Sequence, residues 1–178
     1  YEDLLMLANL LSFYQQVMLF NRYRDAYRAY NIDQPLWVLL GTTVGKDENS
    51  DVIKLVKFFK RFLEDPDWAI GEIKEFLTGR TGLKTGNEDI FRGQLEYLVK
   101  DGAPPKTVYD TICSTVFHGK GTIEVRELKN APGELGIRVS GARGTDYFAV
   151  INIGEVSDFR TRLEEGAKLT AEPDRISA

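Results

Sequence analysis

From Leu4 to Phe20 nearly every position is apolar, interrupted by Asn9, Ser12, Gln15 and Gln16. The pattern continues with Tyr23, Tyr27 and Tyr30 at spacings of four and three, and predicts one helix over residues 2–30. Its apolar part closes at Asn21-Arg22, short of the ~20 residues that a membrane span needs, so it reads as a buried helix of a soluble protein. Arg22, Arg24 and Arg28 alternate with the tyrosines. That alternation suits rings packed inward with arginines snorkelling outward, and less often an aromatic-basic nucleic-acid face.

After the break "NIDQP", the apolar run Leu36-Trp37-Val38-Leu39-Leu40 predicts a buried strand ending at Gly41-Thr42-Thr43. A polar loop leads to Ser50, placed as an N-cap, and Asp51 suits the dipole of the helix that follows. Along "DVIKLVKFFKRFLED", Val52, Leu55, Val56, Phe59, Phe62 and Leu63 form the predicted apolar face, with Lys54, Lys57 and Arg61 opposite. Further helices are expected at 66–77, 88–100 and 105–117, the first two separated by the Gly- and Thr-rich loop "TGRTGLKTGN".

Beyond His118 the period drops from 3.6 to 2. Runs at 122–128, 135–139 and 146–153, joined by "KNAPGE" and "SGARG", predict an antiparallel meander. A short helix at 157–165 and a polar tail, expected to be poorly ordered, complete the chain. The expected class is mixed, helix-rich α/β. Its parts are a helical segment (1–34), a strand with helices (35–117), the meander with a short helix (118–165) and a tail (166–178).

A net charge of −4 argues against a dedicated nucleic-acid module, though not against local basic stripes. One cysteine, Cys113, and one histidine, His118, leave too few ligands for a zinc centre. The lone cysteine indicates a reducing, cytosolic setting, and no signal-peptide pattern is visible. Gly41 and Gly45-Lys46 stand one residue too close for a phosphate-binding P-loop, and Asp47 replaces its hydroxyl. Cys113 lies between Ile112 and Val116 on a helix, as a core filler. Glu124, Glu127 and Asp146 follow no recognisable nuclease spacing. His118 is explained by the helix dipole; hydrolase chemistry there needs a carboxylate within hydrogen-bond reach of the imidazole.

Four blocks carry a resemblance: "PLWVLLGTTV", "SDVIKLVKFFKRF", "EDIFRGQLEYL" and "VFHGKGTIEVRELKNAPGELGIRV…YFAVINIGE". In order and with compatible gaps, they resemble the middle of the restriction (Res) subunits of type III restriction–modification enzymes and related DEAD/DEAH-box helicases. The likeness covers roughly residues 35–165. In such enzymes two RecA-like lobes clamp ATP and Mg2+ and move along duplex DNA, beside a modification methyltransferase subunit and a separate nuclease domain. The resemblance implies that Leu36–Leu40 is the first strand of a RecA-like lobe, followed by an inserted helical segment and the small meander. It implies DNA contacts at Thr42 and Thr43 of the turn Gly41-Thr42-Thr43, where the family commonly reads Gly-Ser-Lys; on the same reading the meander lies against duplex, through Arg138 and Arg143, or against the modification subunit. No Walker A motif, DEAH-like box or arginine-finger motif occurs in the 178 residues, so the chain alone is expected to hold no ATP and to be non-catalytic. It reads as a piece of a bacterial cytoplasmic parent, with a surface exposed by truncation through which it could dimerise. The alternative is a stand-alone protein-interaction module without a nucleic-acid role.

Overall fold

A computed structural model describes residues 1–40, 50–129, 131–141, 146–154 and 156–173. The chain divides into two units, Tyr1–Leu39 with Asp67–Ile112, and Leu40–Pro66 with Cys113–Ala178. The class is mixed α/β, with helices throughout and two small sheets.

In the first unit, α1 (Glu2–Arg22) and α2 (Arg24–Arg28) replace the single helix expected over 2–30. The break falls at Tyr23, whose φ of −114° and ψ of 31° leave helical geometry. By length and composition alone α1 would suffice to cross a membrane. In the fold it buries Leu7, Ala8, Leu10, Leu11, Tyr14 and Phe20, and with them the amide of Gln15. Gln15 Oε1 accepts from the N–H groups of Tyr97 (3.1 Å) and Leu98 (3.3 Å), and its Nε2 donates to the Gln94 carbonyl (3.0 Å). A side chain of α1 thus caps α5 (Glu96–Asp101), whose own N-cap position, Leu95, has no side-chain acceptor.

Between α4 (Pro66–Leu77) and α5, the predicted helix at 88–100 is cut down to its last turn and a half. Residues 84–91 turn back on themselves instead, through β1 (Lys84–Thr85) and β2 (Glu88–Asp89). Asp89 holds this turn by accepting from the Thr81 hydroxyl (2.7 Å), the Thr81 N–H (3.0 Å) and the Phe91 N–H (2.9 Å). Gly93 at φ 81° then reverses the chain before the helix can start. The next helix, α6 (Pro105–Thr115), follows its prediction closely.

The expected buried strand at 36–40 is absent: these residues belong to no sheet among the described residues. Leu36, Val38 and Leu40 are 78%, 64% and 92% exposed, while the intervening Trp37 stacks on Phe13 at 5.7 Å. Leu39 is exposed as well, so the segment shows no buried face, and no strand among the described residues pairs with it.

The second unit begins with α3 (Asp51–Glu64), capped by Ser50, whose Oγ accepts from the Ile53 N–H at 3.4 Å. The predicted face is rotated: Ile53 and Phe58 join Val56, Phe59, Phe62 and Leu63 in the core, and Val52 and Leu55 are only half-buried. Phe117 and Phe148 complete an aromatic cluster, with ring centroids 4.9 Å apart and Phe117 at 5.5 Å from Phe59 and 5.4 Å from Phe62.

The meander forms where expected, as β3 (Ile123–Glu127), β4 (Glu134–Val139) and β5 (Ala149–Asn152). Then α7 (Val156–Ala167) crosses from β5 to β6 (Ala171–Pro173), which adds in parallel to β3. The sheet order is β5-β4-β3-β6, so part of the expected tail is an edge strand. Register pairs Ile123 with Val139 and Val125 with Ile137, which puts their apolar side chains on one face. Buried Phe159 and Leu163 of α7 and the apolar face of α3 complete that core. The Lys60 ammonium reaches the Ala167 carbonyl (3.2 Å), closing the C-terminus of α7.

Candidate functional site

Pairing Ile123 with Val139 brings the α6–β3 loop and the β4–β5 connection to the same end of the sheet. His118 stands in that loop at φ 58°, a left-handed conformation uncommon for a residue with a Cβ. The turn is closed behind it by the Gly119 N–H donating to the Cys113 carbonyl (2.8 Å). Gly119 lies so close to Val139 that a Cβ would sit 3.3 Å from its Cγ1.

His118 Nδ1 lies 2.6 Å from Asp146 Oδ1, across 28 residues of sequence. The two side chains are 38% and 51% exposed. Where Nδ1 carries the proton it donates to this carboxylate oxygen, and Nε2 takes no part in the contact. This is the partner that sequence reasoning required for any chemistry at His118 and had no means to place. It is also the arrangement by which a carboxylate orients an imidazole in acid–base sites. Among the described residues no group of three or more His, Cys, Asp or Glu gathers to hold a metal.

The outer face of the same sheet carries a charged network. Glu124 accepts from Arg126 Nε (2.8 Å) and again from its terminal nitrogen, and Arg126 Nη1 reaches Glu172 of β6 (2.6 Å). Arg138 Nε lies 3.5 Å from Glu124 Oε1, and its guanidinium sits over the Tyr147 ring at 5.8 Å from the centroid. Burial opposes the Glu124 charge, but the Arg126 hydrogen bond, the Arg126 and Arg138 charges and the Gly141 N–H together hold its carboxyl below the usual range. Tyr147 lies flat on β4 because position 136 is glycine: a Cβ there would be 2.5 Å from Tyr147 Cδ1.

Of the residues singled out for DNA contact, Thr42, Thr43 and Arg143 lie outside the described residues. Arg138 is on β4, its side chain 15% exposed and engaged with Glu124 and Tyr147 rather than held out from a turn tip. Glu127 lies half-buried at the core edge and pairs with Arg160 of α7. Cys113 is buried, as expected. The tyrosine-arginine helix places Arg22 over Tyr23 and Tyr97, with a hydrogen bond to the Tyr97 hydroxyl (3.1 Å). Set against known proteins, the chain matches no family model, no curated protein and no solved structure.

Proposed function

We propose that this chain is a non-catalytic part of a Res-like, ATP-dependent DNA helicase or translocase of the type III restriction kind, where it shapes the DNA path or subunit contacts. The observation that carries the reading is the segment 36–40. It has the composition of a strand, it exposes Leu36, Val38, Leu39 and Leu40, and it belongs to no sheet among the described residues. Apolar surface of that kind is costly to leave in water and marks a contact with further polypeptide. The first strand of a RecA-like lobe whose remaining strands lie elsewhere in the parent would have this character. The ordered blocks over 35–165 support reading it as such a lobe, and the meander falls within the most specific of them.

On this reading ATP and Mg2+ are held by other parts of the parent, because the chain carries no Walker A loop or DEAH-like box. The partners are duplex DNA and a modification methyltransferase subunit, in a bacterial cytoplasm. Sequencing the reading frame on both sides of the segment tests it, together with the ATPase activity of the full-length product. The expected result is a Walker A motif and an acidic box upstream, an arginine-containing helicase motif downstream, and DNA-stimulated ATP hydrolysis that the 178-residue chain lacks. A frame without those motifs, or a parent with no DNA-stimulated ATPase, overturns it in favour of a protein-interaction module.

A further inference from the structure

We propose that the face formed by the end of α1, α2 and residues 30–39 docks a polypeptide segment that carries acidic residues beside apolar ones. The inference needs only this face of the first unit and stands whether or not the DNA-motor reading holds. Three guanidiniums gather there, on Arg22, Arg24 and Arg28, all exposed. Among the described residues none of the three forms an ion pair, whereas Arg80, Arg126, Arg138, Arg160 and Arg162 each have a carboxylate. Aromatic rings support two of them instead: Arg22 lies over Tyr23 (5.7 Å) and Tyr97 (5.9 Å), and Arg24 over Phe20 (6.0 Å). A planar guanidinium held in this way is pre-organised to grip a carboxylate with two parallel hydrogen bonds. Beyond Arg28 the face turns apolar. The Ile32 N–H donates to the Tyr27 carbonyl (3.2 Å) and Trp37 stacks on Phe13, so the chain runs back along α1 from the arginines. Along it Tyr30, Ile32, Leu36, Val38 and Leu39 are exposed, and no charge stands between Gln34 and Leu40. Charge decides the occupant. The chain carries −4, and Asp25 stands exposed among the arginines, so a polyphosphate is repelled at long range and meets a carboxylate on contact. A polypeptide can set its carboxylates against the guanidiniums alone and lay its apolar side chains on the strip. Tyrosine and arginine are also the residues that most often anchor protein–protein contacts.

Fluorescence anisotropy on the 178-residue chain tests it, with labelled synthetic peptides of a short glutamate run joined to a short run of alternating leucine and valine, made in both orders. One order is expected to bind, and more weakly as salt is raised. Replacing its glutamates by lysines, or its apolar half by serines, should each cost about tenfold or more. Arg24→Glu combined with Arg28→Glu should lose about tenfold for the glutamate peptide, as two ion pairs become two repulsions. The same variant should gain affinity for the lysine peptide, which a merely damaged surface would not do. Leu36→Ser combined with Val38→Ser should also lose about tenfold, with the salt dependence unchanged. All four side chains are exposed, so the melting temperature should be nearly unchanged in both variants. No binding in either order, equal binding of the serine peptide, or a loss of both charged peptides alike in the double arginine variant overturns the docking site. Tighter binding of a short oligothymidylate overturns it in favour of a nucleic-acid face. A wild-type dimer in sedimentation that Leu36→Ser dissolves overturns it in favour of a second copy. None of these outcomes bears on the motifs flanking the segment, so the DNA-motor reading stands or falls separately.

Discussion

Replacing Gly136 by alanine tests the packing that holds the outer face of the sheet together. The added Cβ would lie 2.5 Å from Tyr147 Cδ1, 2.7 Å from Cε1 and 2.8 Å from Cγ. Carbon atoms rest at about 3.5–4.0 Å, so the ring must retreat by about 1 Å along its whole edge. Overpacking of this kind costs about 1–3 kcal/mol. The retreating ring also leaves the Arg138 guanidinium, worth about 0.5–1 kcal/mol. Against this, alanine is the better strand residue by about 0.5–1 kcal/mol, so the expected net loss is about 2 kcal/mol. For a chain of 178 residues that corresponds to a fall of about 4–8 °C in Tm. The assay is a double-mutant cycle: wild type, Gly136→Ala, Tyr147→Ala and the double variant, each unfolded in urea and followed by far-UV circular dichroism. With the ring gone, Gly136→Ala should become neutral or mildly stabilising, giving a coupling of about 2 kcal/mol. Free energies that add to within about 0.5 kcal/mol would mean that the two residues do not meet, and would refute the packing argument.

Two further outcomes are expected in the first unit. Gln15→Ala leaves two N–H groups at the start of α5 and the Gln94 carbonyl without their partner, and should cost about 1–3 kcal/mol, read from the urea midpoint by fluorescence of Trp37 and Trp68. At Asp89, burial opposes the charge, but the Thr81 hydroxyl and the Phe91 and Thr81 N–H groups prevail and hold its carboxyl below the usual range. A folded value below the unfolded one makes the contribution complete above the unfolded value near pH 4, and lost as pH falls through the folded one. The urea midpoint should therefore fall less steeply between about pH 5 and about pH 2 in Asp89→Asn than in wild type, and parallel curves would sink that assignment.

Elements whose signals are local could be read from the sequence. The meander is set by period-two patterning and turn residues, α3 by the Ser50 cap, and α6 by Pro105 at its first position. Failures occur where a distant partner decides. Residues 88–95 have helical composition, yet Asp89 is captured by Thr81 and bends them into a turn. Residues 36–40 have strand composition, but a strand requires a neighbour, and none pairs with them among the described residues. Ala171–Pro173 is short and polar enough to pass for tail, and becomes a strand because β3 offers an edge. At the sheet end, His118 was visible as a titratable residue beside a Gly-rich loop. Its link to Asp146 depends on strand register, which no local pattern encodes.

The parallel pairing of β6 with β3 has a consequence for the order in which the second unit assembles. β3, β4 and β5 can zip together as soon as each emerges, since hairpin contacts are short in sequence and close quickly. The other edge of β3 must wait for Ala171–Pro173, which arrive only after α7 has been laid across the sheet. Until then Val125, Arg126 and Glu127 present open backbone to any passing strand, and the Arg126–Glu172 pair cannot form. During synthesis, therefore, the vulnerable interval spans α7 and the residues that follow it. Slow translation through that stretch would lengthen the exposure of an aggregation-prone edge without altering the finished fold.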